Sequence, residues 1–451
     1  MNINKSLVSS HAWVTAAVMG LGHLRAAYPL SDLAFGSILI DGEAGLCPPR
    51  EYQVWSRLRR AYYLMSRTKD IPLFGERLYR VLSVIQDIPS YYPSRDLSAP
   101  SFGARYLSLM IEKRCLSESI REKISGDLLP VVNTFYAAAM AIDAKDLSCR
   151  DNYLLMCDTD FNRVWVAEKP SKSRIKYLAP CTKVKQRLME YGVPEERIFL
   201  TGFPLPKENI GTAENMEILK ADLFNRLLRL DPSRRFFNIH EHAVEHFLGR
   251  TVPAAIPAAP FTLMFAVGGA GVQADMALSI LKGARKAIIG GEMRIILSTG
   301  IRLDVRDRFR AFVRAVHLDA YVGNGIEILY HDNVFSHFED FNRALRETDI
   351  LWTKPSELTF YCALGIPILT SHAVGSHEER NRRWLQDVHA GVRPAGALEH
   401  AGEWLNDLRV SGVLAEAAWD GFLKGRKLGA YHIKELITRG KFRDGVTPLD
   451  R

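Results

Sequence analysis

The chain has 451 residues, more than one hydrophobic core usually serves, so two domains are the first expectation. Its 47% apolar and 24% charged content is that of a folded globular protein, and no run of about 18 apolar residues offers a transmembrane span. The net charge of +8 points to an anionic partner, with nucleotide phosphates and lipid headgroups ahead of nucleic acid, for which no aromatic–basic module is evident.

Cysteines at 47, 115, 149, 157, 181 and 362 form no C-x-x-C pair and read as reduced thiols. The first residues do not read as an export signal, so a cytosolic location is expected. A strand over 11–18 runs into Gly20 and Gly22, and a helical pattern begins at Leu24. A second strand, 37–40, ends in Asp41-Gly42. Residues 51–87 and 101–125 predict amphipathic helices rich in Arg and Tyr, separated by a proline-containing loop over 89–100. A helix near 128–143 precedes a strand at 153–157, which ends in Asp158-Thr159-Asp160. Short strands near 175–178 and 197–200 follow. Residues 206–260 read as a helical connection closing in a proline-rich hinge, 251–260. Strands at 261–267, 293–297, 326–330, 350–353 and 366–369 then alternate with helices near 274–288, 304–316, 337–347, 356–364 and 378–388.

Strand–helix alternation predicts parallel sheets with helices on both faces. The fold class is therefore α/β, with two doubly wound, Rossmann-like parallel-sheet domains, 1–205 and 261–400, facing across a cleft. Residues 401–451 form terminal helices that could pack back on the first domain. Such sheets bind ligands at the carboxyl edges of their strands. Gly20 and Gly22 would let backbone approach a ligand there, with His23 at the turn, although a turn with a capping histidine fits too. Gly268, Gly269 and Gly271 follow a strand, as a phosphate cradle or as a tight turn. Ser356 and Thr359 flank a helix start beside Lys354, suited to a phosphate or to an ordinary cap.

Four segments together resemble the GT-B glycosyltransferases, in the branch of the peptidoglycan N-acetylglucosamine transferase and the monogalactosyldiacylglycerol synthases. They are Gly20-Leu21-Gly22-His23 through Ala27; Asp158 to Trp165 with Thr201-Gly202-Phe203-Pro204; Val267 to Gly271; and Lys354-Pro355-Ser356-Glu357-Leu358-Thr359 with His377, Glu378 and Asn381. The resemblance implies an inverting transfer from a nucleotide-sugar, as co-substrate and with no further cofactor or metal, to a lipid-like or other hydroxyl acceptor. Donor contacts would come from Gly268, Gly269, Gly271, Lys354, Ser356, Glu357, Thr359, His377, Glu378 and Asn381. The acceptor-side loop would hold Gly20, Gly22, Arg25 and Asp158, with His23 as base and Asp160 as a second catalytic candidate. One departure stands out. The family segment reads K-P-G-G-x-T-x-x-E and its Glu holds the donor ribose, whereas here Ser356 and Glu357 replace the glycines and Cys362 replaces that Glu. A nucleotide-sugar epimerase and a non-catalytic binder of the same fold are the alternatives.

Two further patterns stand apart. His242, Glu245 and His246 match the zinc-peptidase pattern H-x-x-E-H, although a solvated polar helix accounts for them more simply. The basic, aromatic stretch Arg57 to Arg80 suits an anionic membrane surface or an ordinary solvated helix face, and it makes a peripheral location at the membrane's inner face a further expectation.

Overall fold

A computed structural model describes residues 9–67, 87–145, 150–268, 271, 273–373 and 375–451. Among them, two six-stranded, wholly parallel sheets form. The first comprises β1 (Trp13–Ala17), β2 (Leu39–Asp41), β3 (Val131–Asn133), β4 (Asn152–Leu155), β5 (Lys176–Leu178) and β6 (Ile198–Phe199), in the order β2-β1-β3-β4-β5-β6. The second comprises β7 (Phe261–Ala266), β8 (Met293–Ser298), β9 (Ile326–Leu329), β10 (Ile350–Thr353), β11 (Ile368–Thr370) and β12 (Gly391–Val392), in the order β12-β11-β10-β7-β8-β9. Strands β1, β4, β7 and β10 are buried along their whole length, which is why they read as unbroken apolar runs.

Each sheet reverses its direction of growth once. The chain leaves β1 toward β2 and returns to β3 on the other flank; it leaves β7 toward β8 and β9 and returns to β10. A crevice opens at such a switch point because successive connections depart to opposite faces. The two crevices, above β1/β3 and β7/β10, face each other and set the position of the cleft.

The two doubly wound domains agree with the sequence reading, and several elements differ from it. The helix expected over 128–143 starts only at Tyr136; its first part is the strand β3. Pro130 cannot donate within a helix, and the β-branched pair Val131-Val132 favours extended backbone. The helix expected over 101–125 is two, Phe102–Arg114 and Glu118–Lys123, broken where Cys115 and Ser117 adopt φ of 57° and 60°. Of the helix expected over 51–87, Pro49–Arg67 is described and residues 68–86 lie outside the described residues. The segment expected as an α-helix at 356–364 is the 3-10 helix Glu357–Leu364, buried from Leu358 onward.

Within the connection, helix Glu217–Leu230 is built into the second domain. Its buried Arg226 donates from Nε to the Thr348 carbonyl at 2.8 Å and from Nη1 to that of Leu364 at 3.0 Å. The last helix, Gly429–Arg439, lies against the first domain, where His432 Nδ1 meets the Thr201 carbonyl at 2.8 Å and Lys434 reaches Asp32 at 2.6 Å.

Candidate functional site

The first wall of the cleft is the turn after β1. Gly20 has φ of +85°, a conformation that side-chain-bearing residues rarely adopt, and it bends the chain into helix Gly22–Ala27. This places His23 beside the end of β3. His23 Nδ1 lies 2.7 Å from the Thr134 carbonyl, while Thr134 Oγ1 donates back to the His23 carbonyl at 2.9 Å. A carbonyl only accepts, so Nδ1 carries the proton and Nε2 keeps a free lone pair. The ring packs against Phe135 at 4.9 Å and Trp165 at 5.6 Å between centroids. Burial lowers the His23 pKa from 6.5, and the nearby Asp158 carboxylate, the Thr134 bond and Glu357 offset part of that fall. The imidazole is therefore neutral at pH 7, a state fit to accept a proton.

The second wall is formed by the ends of β7 and β10. Lys354 donates to Glu378 Oε1 at 3.0 Å and lies over Gly268, where a Cβ would come within 2.9 Å of its Cε. Gly268 is thus a close-approach glycine. Glu357 reaches across the cleft: its Oε1 accepts from Arg25 Nε at 3.2 Å, and its Oε2 lies 2.8 Å from where a Gly22 Cβ would stand. Arg25 is itself buried against the second domain, its guanidinium 4.6 Å and 4.3 Å from the rings of Phe338 and Phe341. Its Nη1 has no hydrogen-bond partner.

Two cavities meet here. A narrow one of about 90 Å³ lies between the domains, bordered by Gly20, Arg25, Gly268, Lys354, Ser356 and Glu357. A larger one of about 390 Å³ runs into the first domain and is lined mainly by apolar and aromatic side chains, including Trp55, Tyr106, Phe135, Tyr136 and Trp165. His23, Asp158 and His377 border both. Sequence reasoning reached these three residues and missed the aromatic lining: Phe135 and Tyr136 carry no motif, and Trp165 entered only as the end of the Asp158 to Trp165 segment.

Other expected site residues are engaged elsewhere. Asp160, expected as the second catalytic group, is instead buried and held by Arg187 at 2.8 Å from Nε and 3.0 Å from Nη2, and it borders neither cavity. Asn381, expected at the donor sugar, is fully buried and spends its amide on protein. Its Nδ2 donates to Asp158 Oδ1 at 2.7 Å, and its Oδ1 accepts from Thr159 N at 2.8 Å and Thr159 Oγ1 at 2.9 Å. It is a clamp between the domains. Thr359 is fully buried and borders neither cavity, so its hydroxyl does not face a phosphate there. Gly271, with φ of +71°, packs near Arg302, and Gly269 lies outside the described residues.

Cys362 is wholly buried, away from the cleft, and desolvation pushes its thiol up to about 12, so it supplies no substitute for a ribose-binding carboxylate. His242 and His246 are exposed, Glu245 accepts from Val252 N at 3.0 Å, and the three do not converge as metal ligands. In the basic stretch Arg57 and Arg60 are exposed and Arg59 Nη1 donates to the Gly42 carbonyl at 3.2 Å; Lys69, Arg77 and Arg80 lie outside the described residues. No described helix is long and apolar enough to cross a membrane.

A family model described as "Domain of unknown function (DUF6938)" matches residues 253–433, which take in the second domain and the helices after it as far as the first turn of the last one. No curated protein sequence matches the chain. Among solved structures, a putative UDP-N-acetylglucosamine 2-epimerase from Listeria monocytogenes superposes with a TM-score of 0.48 at 13% identity, over 97% of this chain and 100% of that one. MurG from Acinetobacter baumannii gives 0.46 at 14% identity, over 95% and 99%. The UDP-GlcNAc 2-epimerase from Neisseria meningitidis bound to UDP-GlcNAc gives 0.44 at 13% identity, over 94% and 98%. The two-domain assignment stands on the strand order itself.

Proposed function

We propose that the protein is a glycosyltransferase that moves a sugar from a nucleotide-sugar to a hydroxyl on an apolar or aromatic acceptor. The observation that carries this is the apolar cavity of about 390 Å³ that shares His23, Asp158 and His377 with the interdomain cleft. Its volume falls within the roughly 300–1,000 Å³ of small-molecule sites. An epimerase acts on one bound nucleotide-sugar and has no use for a second compartment opening on the reacting centre.

In this reading the acceptor hydroxyl enters from the apolar side. His23 Nε2 takes its proton as the oxygen attacks the anomeric carbon, and the bond from that carbon to the diphosphate breaks with its electron pair leaving on the diphosphate. Lys354 and Arg25 border the place where that charge develops. The cleft of about 90 Å³ is too small for a nucleotide-sugar, so binding requires the domains to part and the Arg25–Glu357 pair to open.

The test has two steps. Thermal shift against uridine, guanosine, adenosine and thymidine diphosphates and their sugars should find one nucleotide that raises Tm. With that donor, release of the nucleoside diphosphate should speed up when a long-chain or aryl alcohol is added. An isomerised sugar formed equally well without alcohol would instead establish an epimerase, and no shift with any nucleotide would sink the donor reading.

A further inference from the structure

A second cluster lies behind the outer wall of the apolar cavity. Asp41 ends β2, Cys47 sits in the turn that follows, and Glu51 stands in the first turn of helix Pro49–Arg67. One potential ligand atom from each lies within 4.8 Å of the other two, and among the described residues no other such group of His, Cys, Asp and Glu comes together. All three are buried, the two acids to 1% exposure.

The partners are arranged unevenly. Ser117 Oγ donates to Asp41 Oδ2 at 2.5 Å, Ser119 N donates to Glu51 Oε2 at 3.0 Å, and Ser119 Oγ lies 3.2 Å from Cys47 Sγ. Each carboxylate thus has one well-formed bond on one oxygen, with the Gly42 amide facing Asp41 and the Ser117 amide facing Glu51 as well. The other oxygen of each, Asp41 Oδ1 and Glu51 Oε1, is buried with no hydrogen-bond partner. The Trp55 indole N–H lies beside both acids and also lacks a hydrogen bond of good geometry. Buried polar atoms are rarely left so, and two neighbouring carboxylates without a cation are costly. Outer partners on one oxygen and a vacant lone pair on the other is the pattern of first-shell metal ligands fixed by their surroundings.

We propose that Asp41, Cys47 and Glu51 bind a divalent cation of the zinc class, which ties the end of β2 to helix Pro49–Arg67. A set of one sulfur and two carboxylates suits zinc, with Zn–S near 2.3 Å and Zn–O about 2.0–2.2 Å, and it is too soft for magnesium or calcium. Binding sends the thiol proton, and the proton the two carboxyls would otherwise share, to solvent and gives both orphan oxygens a partner. Trp55 and Leu116 line the cavity close to this cluster, so the ion would stiffen that wall and take no part in the reaction.

The full chain, stripped with chelator and dialysed, is titrated with zinc chloride and, separately, cobalt chloride. The expected result is one ion per chain, a higher Tm with zinc, and an intense near-ultraviolet thiolate-to-cobalt band. Cys47→Ser should lose that band and weaken zinc binding by more than the ~10–100-fold that loss of an outer partner costs. If Cys47→Ser does not fold, the cobalt band and stoichiometry of the unaltered chain decide alone. No uptake and no band would overturn the proposal and leave a carboxyl pair sharing a proton. Uptake unchanged in both Cys47→Ser and Asp41→Asn would also overturn it, by placing the ion elsewhere.

Discussion

The two switch points have the same topology and opposite contents. Above β1 and β3 the first domain keeps an open, largely apolar cavity of about 390 Å³, with His23 held in one tautomer at its edge. Above β7 and β10 the second domain meets charges of the protein's own: Glu357 bonds Arg25, Lys354 bonds Glu378, and about 90 Å³ is left. An apolar wall has nothing with which to satisfy itself and can stay open. A wall of ionised groups closes on itself until a better-matched ion arrives. In the proposed reading the acceptor side is therefore preformed and the donor side latched, so donor binding is where domain motion would be spent.

The largest expected effect comes from breaking the preformed side. His23→Ala removes the proposed base while the cavity walls remain. Turnover should fall by about 10²–10⁴-fold, the usual contribution of general base catalysis, with nucleotide binding retained in thermal shift. Turnover within a few-fold of the unaltered protein would move the base elsewhere, with Asp158 and His377 as the groups bordering both cavities.

A smaller effect probes the latch. Glu357→Gln gives up the charge that holds Arg25, which leaves the guanidinium free to meet a phosphate. Nucleoside diphosphate affinity should rise by about tenfold, matching the ~1.4 kcal/mol of a charge-assisted hydrogen bond that no longer has to be broken. Calorimetric titration decides it. A fall in affinity would mean that Glu357 holds the ligand directly, and the contrast between an open and a latched side would then fail.

The same contrast governs how much was legible in the sequence. Long buried strands such as β7 and β8 announce themselves as apolar runs with helices between, so the second domain could be read almost element by element. The three-residue β3 could not, because a strand that short has no period to read and Pro130 to Lys145 looks like one helical stretch. With β3 lost, its successor Thr134 was lost as well, and with it the bond that fixes the tautomer of His23. The resemblance pointed to His23 and Lys354, but residue identity gives no direction of projection. Asp158 and Asp160 stand two apart at the end of one strand, yet one borders both cavities and the other is sealed against Arg187. Asp41, Cys47 and Glu51 were invisible as a group because spacings of six and four residues across a strand end, a turn and a helix start match no linear motif.

The smallest expected effect is on pH dependence, and its sign follows from the walls around His23. Burial lowers the folded pKa below 6.5, so the unfolded chain binds the proton more tightly in the interval between the two values. Stability contributed by this residue is complete above pH 6.5 and is lost as pH falls from there toward the folded pKa. With the neutral ring as the proposed base, the acid limb of kcat/KM should also have its midpoint below 6.5 and be flat above it. Asp158 is the largest of the influences that raise this pKa, and Glu357 is a lesser one. The limb should therefore move to lower pH in Asp158→Asn and less far in Glu357→Gln, each read from a rate profile between pH 4 and 8. If the limb moved more with Glu357→Gln than with Asp158→Asn, the latched wall would lie electrically nearer to His23 than the structure places it.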